Sequence, residues 1–365
     1  MKNPIKLLCT FGVIASFLLT GCSNSEKSSG TPEEQPAIEY VDPQLRGEIL
    51  KKSNIPFTGY YPLTGLGTYN EINQRVFAVM VNNHPKARPQ SGLHKADIVY
   101  EILAEGSVTR FLAVFQSELP EVVGPIRSAR DYYIYLSQGL GAIYVNYGGS
   151  PEAFNLLQHL EITDYIGGIV RKGYADDQFF YRADFRGAPH NVYITDENLV
   201  KGAEKRNFSL TQDVEPFTFL SEDEIGLLTG VDAKEFQITY SKSYKTSFLY
   251  DEATSKYQRY VNGEEYEDRE TNTPITVENI LIIEAPHKIV DDAGRRDINL
   301  EGSGKGYLVH RGVMNEIEWK NVNGRIIPFI EGKEAGFVPG KTWVNVIPTS
   351  PGLEKMINFI QQELE

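Results

Sequence analysis

Cysteine occurs only twice in 365 residues, at Cys9 and Cys22, and nowhere after position 22. A folded body built from the rest of the chain has neither a disulfide nor a thiolate metal site. Basic charge is also scarce, with 36 lysines and arginines against 49 acids and a net charge of −13. Such a surface is repelled by phosphate backbones and anionic lipids, so no nucleic-acid partner is expected and no basic face holds a membrane. The six histidines, at 84, 94, 159, 190, 287 and 310, form no H-E-x-x-H. Ser91 and Ser150 lie near glycines but outside any G-x-S-x-G. "GSGKG" (302–306) falls between predicted strands and opens no helix, and the acidic stretches "NGEEYED" (262–268) and "DDAGRRD" (291–297) lack calcium-loop spacing. The expectation is no metal and no cofactor.

What is present begins at the N-terminus. Lys2 and Lys6 precede an apolar run, Leu7 to Thr20, that is too short to span a bilayer. Leu19-Thr20-Gly21-Cys22 closes it with small residues before a cysteine. This reads as a lipoprotein signal peptide over residues 1–21, with Cys22 lipidated through diacylglycerol and a further acyl chain such as palmitate. Cleavage there removes two lysines and no acid, leaving 34 basic against 49 acidic residues, or −15. Residues 22–44 then form the lipidated end and a Ser, Glu, Lys, Gly and Pro tether, of which some fourteen residues reach about 20 Å. The expected location is the extracytoplasmic face of a cell membrane.

The remaining length predicts two domains and an α+β fold class. Residues 45–210 read as mixed α/β. Short apolar or alternating runs at Val76–Val81, Ile98–Leu103, Phe111–Phe115 and Ile143–Tyr147 predict strands. Gly124-Pro125 predicts a helix start, with Ile126, Ala129, Tyr133, Leu136 and Leu140 as its apolar stripe. A second helix follows "GGSP", burying Ala153, Phe154, Leu157 and Leu160, and a third runs from Asp196 to about Lys205. Residues 211–365 read as mostly β, with a hairpin turning near Ala253–Ser255 and strands in "NILIIEAP", "KGYLVHRG", "NEIEWKNV" and "KTWVNVIP". A C-terminal helix is expected with Leu353, Met356, Ile357, Ile360 and Leu364 on one face.

Against the acidic background, "GPIRSAR" (124–130) sets Arg127 and Arg130 one turn apart near a predicted helix N-terminus. Cations are disfavoured there, so an anion is implied, supplied either by the protein or by a ligand. Arg110 begins a strand close behind Glu101 and Glu105, and Arg182, Arg186, His190 and Asn191 share a Gly-Pro turn. Together these predict a polar cleft at strand ends. The alternative is a set of internal ion pairs that fix loops.

The motifs "RPQSGL" (88–93), "ADIVYE" (96–101), "EGSVTRF" (105–111), "GPIRSAR" and "APHNVY" (188–193), with "GSGKGYLV" and "PGKTWVNV" further on, resemble those of the YerB-like bacterial lipoproteins. The resemblance implies envelope location and a two-domain architecture without a settled activity. It also marks Glu101, Arg110, Arg127, Arg130, His190 and Asn191 for scrutiny. Two readings stay open. In one, a lipid-anchored binding or scaffolding protein of the cell envelope holds an anionic cell-wall polymer or an envelope protein in an arginine-lined cleft. In the other, Glu101 and Glu105 serve a glycan-cleaving or glycan-modifying enzyme, one as a general acid of raised pKa.

Overall fold

The computed structural model describes residues 56–169 and 176–360. Cys22, the tether and Leu364 lie outside them. In the first part of the chain, strands run over Phe77–Asn82 (β1), Ile98–Leu103 (β2), Thr109–Phe115 (β3), Ile143–Tyr147 (β4), Tyr165–Gly168 (β5) and Val192–Thr195 (β6). Helices cover Asp131–Gly139 (α1), Pro151–Gln158 (α2) and Asp196–Lys205 (α3). Every residue of β1, β2 and β3 is buried, which explains why they read as near-continuous apolar runs. Val79, Val81, Phe111 and Phe115 enter the core on one face, and Ala78, Met80, Leu112 and Val114 enter it on the other.

The later strands are Glu235–Ser241 (β7), Tyr244–Asp251 (β8), Lys256–Val261 (β9), Asn279–Ala285 (β10), Ser303–His310 (β11), Val313–Val322 (β12), Arg325–Ile330 (β13), Thr342–Pro348 (β14) and Ile357–Phe359 (β15). β7, β8 and β9 largely alternate between buried and open positions and form the centre of a six-stranded antiparallel sheet, with β15 at its edge. A twelve-stranded sheet carries the order β13-β12-β11-β10-β14-β2-β3-β1-β4-β5. It does not stop near residue 210: β14 lies between β10 and β2 and runs parallel to both, pairing Trp343 with Ile280 on one side and Val99 on the other. The architecture is α+β, with the mostly β part at the C-terminal side.

Three local expectations change. The segment 124–130 is extended, because its amides are engaged between strands. Arg127 N–H donates to Met80 O at 2.9 Å and Ile126 N–H to Val192 O at 2.6 Å. Helix α1 begins at Asp131 with Arg130 as its N-cap, so Arg127 and Arg130 are not helical neighbours. Leu160 lies beyond the end of α2 and is 59% exposed. The terminal helix is a single turn, Leu353–Met356, after which Ile357–Phe359 adds to the edge of β7 and Phe359 packs its ring against Phe236.

Candidate functional site

Six strands of the large sheet put their carboxyl ends on one edge. β10, β14 and β2 form one parallel set, β1, β4 and β5 form another, and β3 returns between them antiparallel to β2 and β1. Ligands in α/β sheets commonly bind just outside such ends.

Beyond β1 and β4, a cationic cluster is built by short-range hydrogen bonds. Asn82 ends β1; its Oδ1 accepts the His84 amide at 3.0 Å, and its Nδ2 donates to His190 Nδ1 at 2.9 Å. His84 Nδ1 accepts the Lys86 amide at 3.1 Å and caps the turn Pro85–Ala87. Both imidazoles are acceptors at Nδ1, so each neutral ring carries its proton on Nε2 as a free donor. The two rings stack with centroids 4.5 Å apart. Burial, then Lys86, Arg127 and Arg88, lower the pKa of His84; burial, then His84, Arg127, Lys86 and Arg186, lower that of His190.

Arg127 completes the cluster. Its backbone bridges β1 and β4, since Met80 O accepts its N–H and its own carbonyl accepts from Tyr147 N–H at 3.0 Å. Its guanidinium has no hydrogen-bond or ion-pair partner among the described residues, and Nε is buried. Burial, with Arg110 nearby, brings its pKa down to about 10. A half-buried cation beside two imidazole N–H donors is an arrangement that an anion relieves.

The other sequence-selected residues go elsewhere. Arg110 contacts Glu105 Oε2 at 2.5 Å and Ser128 O at 2.9 Å, while Arg130 pairs with the other oxygen of Glu105. Glu105 is thus held between two buried arginines. Asn191 is buried in its turn, with Oδ1 accepting from Arg182 at 2.9 Å and Nδ2 donating to Ala183 O at 3.1 Å. Ser150 caps α2, accepting the Ala153 amide at 3.1 Å.

Glu101 occupies the opposite face of the sheet from Arg110, because Glu101 pairs with Phe111 and Ile102 with Arg110 in register. Its exposure is 0%. One oxygen accepts from Thr109 Oγ1 at 2.9 Å and from the Tyr244 hydroxyl, and the other from Arg259 at 2.9 Å and Trp343 Nε1 at 3.0 Å. Arg259 lies over the rings of Tyr266 and Trp343, 4.4 and 4.5 Å from their centroids. Glu101 and Glu105 therefore do not face a common space.

Sequence reasoning selected Arg127 and His190 and missed Asn82 and His84, the residues that orient and extend them. The signal was "NNHP" at the end of an apolar strand, where a polar cluster marks a carboxyl end.

Residues 63–209 match the family described as "Protein of unknown function (DUF3048) N-terminal domain", and residues 236–344 match its C-terminal domain. The relative "Putative lipoprotein YerB" of Bacillus subtilis (strain 168) is 46% identical over 288 residues, spanning 79% of this chain and 86% of the relative. A crystal structure of the YerB protein from Bacillus subtilis is similar with a TM-score of 0.74 and 43% identity, covering 83% of this chain and 100% of that one.

Proposed function

Because this chain belongs to the DUF3048 family, we propose that it is a lipid-anchored binding protein of the bacterial cell envelope. Its Arg127–His84–His190 cluster holds an anionic group of a cell-wall polymer or envelope protein. The anchor is Cys22, the location is the extracytoplasmic face, and the relative's name, "Putative lipoprotein YerB", supports this reading. The observation that carries the binding reading is the Arg127 guanidinium, without a partner among the described residues, beside two Nε2–H donors at the carboxyl ends of parallel strands. An acidic protein with a local basic cluster selects anions by contact rather than by its overall field. A glycan-cleaving role for Glu101 and Glu105 has less support, since the first is enclosed and the second is neutralised by Arg110 and Arg130.

Full-length protein in detergent, sedimented with purified sacculi, tests this reading. Binding to intact wall that Arg127→Ala abolishes is the expected result. Release of soluble wall fragments, lost in Glu105→Gln, would overturn it in favour of the enzyme. Separately, Cys22→Ala should leave the membrane fraction or persist as precursor, and unchanged lipid labelling of that variant would remove the anchor.

A further inference from the structure

We propose that the carboxyl ends of β10, β14 and β2 form a second ligand pocket, which receives a secondary acyl amide through His287 and Arg296. A cavity of about 240 Å³ lies at these three strand ends. Each strand contributes residues at or just beyond its end: Leu103 at the end of β2 and Ser107 after it, His287 after β10, and Ser350 and Pro351 after β14. The site is distinct from the Arg127 cluster, which belongs to the other parallel set, and independent of what binds there.

Hydrogen bonding fixes the polarity of the pocket. His287 Nδ1 lies 2.8 Å from Ala285 O, and a carbonyl only accepts, so Nδ1 carries the proton. Nε2 is then a bare acceptor, and it is buried with no partner among the described residues. Arg296 uses Nη2 to donate to Gly106 O at 2.6 Å, leaving its buried Nε–H without an acceptor among the described residues. Burial, with Arg296 nearby, pushes His287 down to about 4, so the acceptor persists at neutral pH. Tyr240, which also lines the cavity, is engaged with Asn345 Oδ1 at 3.1 Å.

A lone-pair acceptor next to a cationic donor repels a carboxylate at one atom and an ammonium at the other. A neutral group with N–H beside C=O satisfies both. The apolar parts of the wall, Leu103, Pro351 and Met356, suit a methyl group. The space falls just below the usual range for whole drug-sized ligands, about 300–1,000 Å³, so a headgroup enters rather than a polymer segment. An acetamido group combines these features, whether it belongs to an amino sugar or to an acylated peptide.

The test is the His287 side-chain nitrogen resonance in full-length protein in detergent, titrated with N-acetylglucosamine, N-acetylglycine methylamide, glucosamine and glucose. A saturable shift of Nε2 with either acyl amide, absent with glucosamine and glucose, is the expected result. Response to the sugar alone identifies an amino-sugar source, and response to the peptide alone an acyl-peptide source. Arg296→Gln should weaken the response about tenfold, the loss of one charge-assisted hydrogen bond. Equal shifts with glucose, or no shift with either amide up to about 50 mM, would overturn the proposal, because a fragment of useful ligand efficiency saturates below that. His287→Asn, checked for an unchanged melting temperature, should abolish protection of Arg296 from phenylglyoxal by N-acetylglucosamine or the peptide amide. Retained protection would also overturn it.

Discussion

Glu101 and Arg259 meet at 2.9 Å with neither side chain exposed, and the contact joins β2 of the large sheet to β9 of the six-stranded sheet. Trp343, Tyr244 and Thr109 fill the remaining acceptor positions of the carboxylate. Removing one charge leaves the other enclosed without compensation, which costs about 3–5 kcal/mol. Glu101→Gln should therefore lower the stability measured by urea unfolding by that order. Glu101→Leu combined with Arg259→Leu should recover part of the loss. A single variant as stable as the parent would disprove the role of the pair. Activity lost in Glu101→Gln says nothing about catalysis unless folding is shown.

Arg127 and Arg130 should separate in the same experiments. Arg127 has no partner among the described residues to lose, so Arg127→Ala should change stability by less than about 0.5 kcal/mol while abolishing wall binding. Arg130→Ala deprives Glu105 of one of its two guanidiniums and should cost about 1.5–3 kcal/mol. Equal effects of the two substitutions on stability would contradict the assignment.

Anion binding at the Arg127 cluster should tighten as pH falls. Burial and neighbouring cations lower the pKa values of His84 and His190 in the free protein, and a bound anion favours the imidazolium. Binding then takes up protons below neutrality. Titration calorimetry with sulfate, an anion that does not itself titrate in this range, in buffers of different ionisation enthalpy measures that uptake directly. Proton release on binding would refute it.

His310 makes stability depend on pH with a defined sign. Burial, then Arg311, lowers its pKa from 6.5 to about 4, so the folded state favours the neutral ring. This contribution is complete above about pH 6.5 and is lost as pH falls toward 4, in total about 3 kcal/mol. His310→Gln should flatten the stability profile across that window. A profile of unchanged slope would exclude the histidine as its source.

Much of the fold was legible because burial and period coincide. "FAVMVN" and "IVYEIL" are enclosed on both faces and can hardly be anything but interior strands, and α3 starts where Thr195 caps it. The segment after Gly124 was not legible, because Ile126 and Ala129 have the three-residue spacing of a helix while their amides bond across to neighbouring strands. Its arginines had to be sorted by partner, and partners come from distant sequence. Arg259, 158 residues from Glu101, carries no local mark of that pairing. The terminal turn was shortened by a similar effect, since the open edge of β7 competes for Ile357–Phe359.

The position of β14 has a consequence for how the chain comes together. Residues 342–348 are the wedge between β10 and β2, so neither earlier stretch can close its central hydrogen bonds until residues 342–348 have emerged. A chain delivered N-terminus first must wait with an unfinished seam, shielded by whatever accompanies it, and a product cut off before residue 342 would expose two adhesive strand borders.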